Sequence, residues 1–162
     1  MITIFALSNG KNLGLANVFA EHFIGNGQKA QVLDVVDLGL PLYTSNEEKR
    51  TQVTDVVAPL LPYLAAEGFV FIGPEYNGGP PPTFTNLLAW ISRSAKDWRI
   101  HLNEKRAAVA TYSGGGGHHA LMHMRQQLAF VGMNVIGREI NVNDRKALDP
   151  ASLEAVCRQL MR

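Results

Sequence analysis

The sequence predicts an α/β protein: a doubly wound, five-stranded parallel sheet with helices on both faces. Five apolar runs rich in β-branched or aromatic residues punctuate the chain, and a helical pattern follows each. Those runs are apolar at successive positions, as strands covered on both faces require. At 162 residues the chain has the length of one domain, 1–162, with a core of its own.

The first run, Ile2 to Leu7, precedes a helix from about Leu13 to Phe23, with Leu15, Val18, Phe19 and Phe23 on its apolar face. The second strand is Gln31 to Val36. The segment Glu47 to Ala66 follows with a stripe of Val53, Val56, Val57, Leu60, Leu61 and Leu64, and Pro59 and Pro62 predict a kinked or shortened helix there. Phe69 to Ile72 is the third strand, closed by Gly73 and Pro74 and followed by a helix from Pro82 to Ser92. Ala107 to Tyr112 is the fourth, leading through four glycines to a helix from His118 to Val131. Asn134 to Ile140 is the fifth, and a last helix runs from Pro150 to the C-terminus. Right-handed crossovers between five such units favour the flavodoxin-like strand order 2-1-3-4-5.

Composition narrows the function. Hydrophobic residues make up 46% and charged residues 18%, which excludes a disordered chain. A formal net charge of +1 without a basic run argues against nucleic acid as partner. No apolar stretch approaches the roughly 20 residues of a membrane span, and Met1 to Leu7 is too short for a signal peptide. The single cysteine, Cys157, cannot form an internal disulfide, which fits a cytoplasmic protein, and reads as a small apolar residue of the last helix.

In sheets of this kind ligands collect beyond the carboxyl ends of the strands, where connections reverse direction. The loops after strands one, three and four are therefore the candidate site. In the first, Ser8, Gly10, Lys11, Asn12, Leu13 and Gly14 bring backbone N–H groups, a helix N-terminus and a cation to one place, as a phosphate needs. Simple capping of the helix by Asn12 is the equal alternative. The loop lacks the endings of a Walker A or dinucleotide motif. In the second, Pro74, Glu75, Tyr76, Asn77 and Gly78 form a stiff turn: Tyr76 offers a ring to a flat heterocycle, and Glu75 and Asn77 anchor the loop or read the ligand edge. A rigid proline turn with an exposed aromatic fits the same composition. In the third, Ser113, Gly114, Gly115, Gly116 and Gly117 expose backbone N–H groups to something broad. His118, His119 and His123 lie nearby without a carboxylate or cysteine partner, so no metal site is assigned.

These residues carry a family resemblance. The run Pro74-Glu75-Tyr76-Asn77-Gly78, with Pro81, Asn86 and Trp90 at their spacing, resembles the NADPH-dependent FMN reductases, a flavodoxin-like family that includes quinone, azo-dye and chromate reductases. Gly79, Pro82, Thr85 and Ala89 depart from the family's serine, glycine, lysine and aspartate. Asp34 to Tyr43, and Ser113 to Gly117 with Arg125, Gln126 and Leu128, are similar to further family segments. In the first loop Ser8 and Lys11 occupy a serine and an arginine position, whereas Gly14 and Ala16 replace a serine and an asparagine. Two donors and the bidentate fork of arginine are lost, which predicts a weaker grip on the phosphate.

The resemblance implies that the second and third loops hold the isoalloxazine ring of FMN and the first its phosphate. It implies a reductase that takes a hydride from NADPH or NADH and passes electrons to a small-molecule acceptor such as a quinone or free flavin. The flavin carries that chemistry, so no catalytic side chain is expected. Backbone donors from Ser113 to Gly116 would stabilise charge on the reduced ring, and Tyr76 and His118 would touch the ring or the acceptor. Homodimers or homotetramers are expected, with Trp90, Ile91, Trp98 and Ile100 as interface candidates, a buried core being the alternative for Trp90. An FMN-binding electron-transfer module without reductase activity is the rival reading, disfavoured because flavodoxins are strongly acidic and this chain is near neutral. A non-flavin interaction protein that kept the fold is the third.

Overall fold

A computed structural model describes residues 1–161. Strands β1 (Ile2–Ala6), β2 (Ala30–Asp34), β3 (Gly68–Ile72), β4 (Arg106–Tyr112), β5 (Asn134–Val135) and β6 (Ile140–Val142) form one parallel sheet. Its order is β2-β1-β3-β4-β5, with β6 also paired to β4, so the expected order 2-1-3-4-5 is the observed one. The helices are α1 (Lys11–Gly25), α2 (Ser45–Arg50), α3 (Val53–Val57), α4 (Leu61–Leu64), α5 (Pro82–Ile91), α6 (His118–Phe130) and α7 (Pro150–Leu160).

Side chains alternate across the strands and build two cores. Phe5, Phe69 and Phe71 stack on one face, with Phe5 and Phe71 ring centres 5.0 Å apart, and pack against Leu60, Phe84 and Leu121. Ile4, Ala6, Val70 and Ile72 point to the other face, where Leu15, Phe19 and Phe23 of α1 and Val156 of α7 cover them. Val18, expected on the buried face of α1, is 38% exposed. The α1 face is set by Leu15, Phe19 and Phe23, which recur at four-residue steps.

Two expected elements are broken. The predicted helix from Glu47 to Ala66 is three short pieces, α2, α3 and α4, with a 3₁₀ turn at Ala58–Leu60. Pro59 and Pro62 cannot donate the hydrogen bonds that a continuous helix requires. Only Val57, Leu60 and Leu64 of its stripe are buried, while Leu61 is exposed. The predicted fifth strand, Asn134 to Ile140, is interrupted between β5 and β6. The amide of Ile136 still donates to Ala107, but its carbonyl accepts from Arg125 Nη1 at 2.7 Å, and the chain leaves the sheet until Ile140. Among the described residues no helix is long and apolar enough to cross a membrane.

The last helix starts at Pro150, as expected, and is capped by the residue before it. Asp149 accepts from the amides of Ala151 and Ser152, and Pro150 occupies the first turn. Cys157 is fully buried in this helix, and burial pushes its thiol pKa up to about 12.

Candidate functional site

The sheet delivers β1, β3 and β4 side by side, so the three loops that follow them meet at one edge. Short bonds fix their spacing. The Leu7 amide donates to Ile72, the Gly73 amide to Ala110, and the Thr83 hydroxyl of α5 to the Leu7 carbonyl at 2.5 Å.

The second loop is a tight hairpin. Asn77 and Gly78 have φ of 51° and 77°, and Tyr76 and Gly79 exchange both backbone hydrogen bonds at 2.9 and 3.0 Å. Two successive positive φ values mark a type I′ turn, for which Asn-Gly is the favoured pair. Asn77 therefore shapes the turn, and Tyr76 stands 52% exposed beside it.

Glu75 ties this hairpin to the third loop. Its amide donates to Ser113 Oγ at 3.2 Å, and its Oε2 accepts from the amides of His119 and Ala120 at 2.9 and 3.3 Å. Gly117, the residue before α6, has no side chain to cap the helix. Glu75 does so from another loop, and its charge suits the helix N-terminus. Of the two roles open to Glu75 in the sequence, anchoring is the one its geometry shows.

The third loop is shaped from below. A Cβ on Gly117 (φ 73°) would lie 2.5 Å from Thr111 Cγ2, so only glycine fits there. The side-chain amide of Asn141 on β6 donates to the Gly116 carbonyl. Gly114 and Gly115, by contrast, face open space, and their amides have no acceptor among the described residues. They form a bare backbone surface in the loop that Glu75 ties to the hairpin of Tyr76.

At the first loop, the amides of Lys11, Asn12 and Leu13 start α1 without a side-chain cap. Asn12 neither caps the helix nor projects toward a ligand. It is buried, donating through Nδ2 to the Tyr112 carbonyl at 3.1 Å and accepting the Tyr112 amide at 2.9 Å. This two-point bond locks α1 to the end of β4 and overturns capping by the Asn12 side chain, while the Asn12 backbone amide stays open at the helix start. Gly14 is exposed inside α1. Ser8 is half-buried and Gly10 exposed ahead of the helix.

Lys11 is not free either. Its Nζ lies 2.6 Å from Asp144 Oδ1 and 4.7 Å from the centre of the Tyr112 ring. The hydrogen bond with Asp144 raises the Lys11 pKa, and the bonds from Lys11 and then Tyr112 lower that of Asp144.

Asn86 and Trp90 act away from the loops. Asn86 accepts the Tyr43 amide at 2.8 Å and donates to Pro41, and Trp90 Nε1 donates to the same carbonyl at 2.7 Å. Trp90 also meets Tyr43 edge-on at 5.3 Å. They hold the segment after β2 against α5. Trp90 and Ile91 are fully buried, so neither supplies interface surface, whereas Ile100 is 68% exposed.

Comparisons with known proteins place the chain in a family. The profile of the NADPH-dependent FMN reductases matches residues 2–146. The chain belongs to that family. Among this reductase family's curated members, it is 29% identical over 148 residues to a probable NADPH:quinone oxidoreductase of Oryza sativa subsp. japonica, covering 85% of this chain and 69% of that one. It is 30% identical over 127 residues to an NAD(P)H-dependent FMN reductase of Saccharomyces cerevisiae, covering 73% of this chain and 63% of the relative. Of solved structures, the flavoenzyme NAD(P)H:(acceptor) oxidoreductase of Paracoccus denitrificans superposes with a TM-score of 0.69 at 22% identity, over 84% of this chain and 74% of that one. A flavodoxin of Pseudomonas aeruginosa gives 0.66 at 12%, over 99% and 98%. At these identities the two structures support the fold alone.

Thr83 and Asp144 escaped the sequence reading. A threonine in a first helical turn carries no distinctive signal, and Asp144 lies 133 residues from its partner Lys11.

Proposed function

We propose that residues 1–162 form a single FMN-binding domain with NAD(P)H-dependent reductase activity toward a small acceptor such as a quinone or free flavin. The observation that carries this reading is the clamped pair of loops: Glu75 ties the hairpin that carries the exposed Tyr76 to the loop that carries the bare amides of Gly114 and Gly115. In this reading the ring of FMN lies against Tyr76 and the Ser113–Gly116 backbone, and the amides of Lys11, Asn12 and Leu13 receive its phosphate. The chemistry that FMN supplies when bound is acceptance of a hydride and its delivery as electrons to an acceptor.

The chain's own part is to bind and orient. The amides of Gly114 and Gly115 are preorganised donors for negative charge at the ring edge and need no rearrangement to act. Tyr76, half exposed, offers its ring to a planar partner. The relatives named for NADPH, quinones and FMN support donor and acceptor classes of this kind.

Assembly as a homodimer or homotetramer in the cytoplasm completes the reading. The exposure of Ile100 (68%), an interface candidate of the sequence, supports the first, and a lone cysteine without an internal disulfide partner the second. Mass measurement in solution tests assembly. The function is tested by FMN titration followed by anaerobic addition of NADPH and NADH. The expected result is saturable quenching of flavin fluorescence, then bleaching of the flavin absorbance by at least one nucleotide. FMN binding without bleaching by either would replace the reductase with an electron-transfer module, and no binding would refute both.

A further inference from the structure

The one cation at the start of α1 is engaged before any phosphate arrives. Lys11 and Asp144 pair at 2.6 Å, and the Tyr112 hydroxyl donates to the same Asp144 oxygen at 2.9 Å. The carboxylate is thus held by two donors, one from the phosphate loop and one from the end of β4. Both charged side chains are well exposed, 62% for Lys11 and 66% for Asp144, so their bond is weak and exchangeable. They stand at the edge of a groove of about 590 Å³ between α1 and the 143–148 loop, which gives them room to separate.

A phosphate at the amides of Lys11, Asn12 and Leu13 meets two opposed charges. The ammonium attracts it, while the Asp144 carboxylate repels it and occupies the ammonium. Arg145 and Lys146 follow Asp144 directly, so the three-residue run changes from net +1 to net +2 when Asp144 is neutralised.

We propose that Asp144 sets the affinity for the phosphate end of the flavin by competing with that phosphate for Lys11. The inference rests on the flavin reading above and adds to it a residue outside the three loops. Phosphate binding transfers Lys11 from the carboxylate to the ligand, and Asp144 keeps its bond from Tyr112. The complete FMN is therefore held less tightly than the amides and an unpaired Lys11 together would allow, whereas a flavin without phosphate is indifferent to Asp144.

The test is titration of FMN and of riboflavin, which lacks the phosphate, into the wild type, D144N, K11M and the K11M/D144N pair. D144N should tighten FMN binding by about two- to fivefold, the scale of an exposed charge interaction, and leave riboflavin binding unchanged. K11M/D144N should gain clearly less over K11M than D144N gains over the wild type, because only the direct repulsion by Asp144 is left to relieve. D144A should repeat the gain should D144N fold poorly. No gain for FMN, an equal gain for riboflavin, or a gain undiminished by K11M each overturns the proposal. Riboflavin binding without any effect of D144N on FMN refutes the role of Asp144 alone. Binding of neither flavin by any variant refutes the flavin reading and this inference with it.

Discussion

Replacing Glu75 tests whether the site depends on the clamp between its two walls. The carboxylate bonds the second and third amides of α6, the positions that an ordinary N-cap side chain serves. The bond to His119 is short, and that to Ala120, at 3.3 Å, is near the limit and counts for less. Losing a cap costs about 1 kcal/mol, and losing a negative charge at a helix start about 0.5 kcal/mol more. Two amides that regain water offset little of this, because the Glu75 side chain is only 15% exposed. Glu75→Ala should therefore destabilise the protein by roughly 1.5 kcal/mol, which in a domain of this size lowers Tm by about 3–6 °C. Glu75→Gln keeps an acceptor oxygen and loses the charge, so its loss should be about half as large.

Thermal unfolding followed by far-UV circular dichroism gives the first readout, and FMN titration the second. Without the clamp, the Tyr76 hairpin and the glycine loop must be ordered by the ligand, which should weaken FMN binding by about tenfold in Glu75→Ala. Reasoning from the clamp fails if Tm in both variants stays within a degree of the wild type. It fails equally if Tm drops and FMN affinity does not change, because the contact would then stabilise α6 without shaping the site.

Three further outcomes follow from single contacts. Gly117→Ala forces a Cβ to 2.5 Å from Thr111 and a side chain into φ 73°, and should destabilise by about 2–4 kcal/mol, measured by urea unfolding; a loss below 1 kcal/mol would show that the loop moves freely. Asn12→Ala strands the amide and carbonyl of Tyr112 and should destabilise by about 2–3 kcal/mol, whereas an Asn12 that merely capped α1 would cost closer to 1 kcal/mol. Asp149 has its carboxyl pKa held down, first by the Ser152 hydroxyl and then by the amides of Ala151 and Ser152. Its stabilisation is complete above the ordinary carboxylate value of about 4 and is lost as pH falls through the lower folded value. Asp149→Asn keeps the cap without the titration, so Tm measured from neutral to acid pH should fall less steeply than in the wild type; parallel curves would remove Asp149 from the acid response.

The fold was legible because periodicity reports burial, and every strand and helix start rested on it or on a turn residue. The Asn77-Gly78 pair marked a tight turn from its chemistry alone, and four glycines marked a backbone surface. Periodicity failed where a neighbour competes for the backbone. Nothing in Ile136 or Gly137 shows that Arg125, eleven positions away, takes the Ile136 carbonyl and breaks the fifth strand. The same limit applies to Asn12 and Lys11. Residue type and helix position suit both to a ligand, and only the fold reveals that Tyr112 and Asp144 hold them first.

The motif residues divide by what their side chains do. Glu75 caps α6, Asn77 turns the hairpin, and Asn86 and Trp90 hold the carbonyl of Pro41. These polar groups are spent on fixing loops, which leaves backbone amides and one exposed ring to meet a ligand. Glu75, Asn86 and Trp90 are specific because each side chain must reach particular backbone atoms, which a shorter or differently shaped substitute leaves unpaired, whereas Asn77 is specific through its positive φ. Three departures from the family pattern, Pro82, Thr85 and Ala89, line one groove with Leu42, Tyr43 and the retained Asn86. The fourth, Gly79, lies inside the hairpin itself, where its pairing with Tyr76 uses backbone atoms alone and therefore does not depend on the side chain at that position.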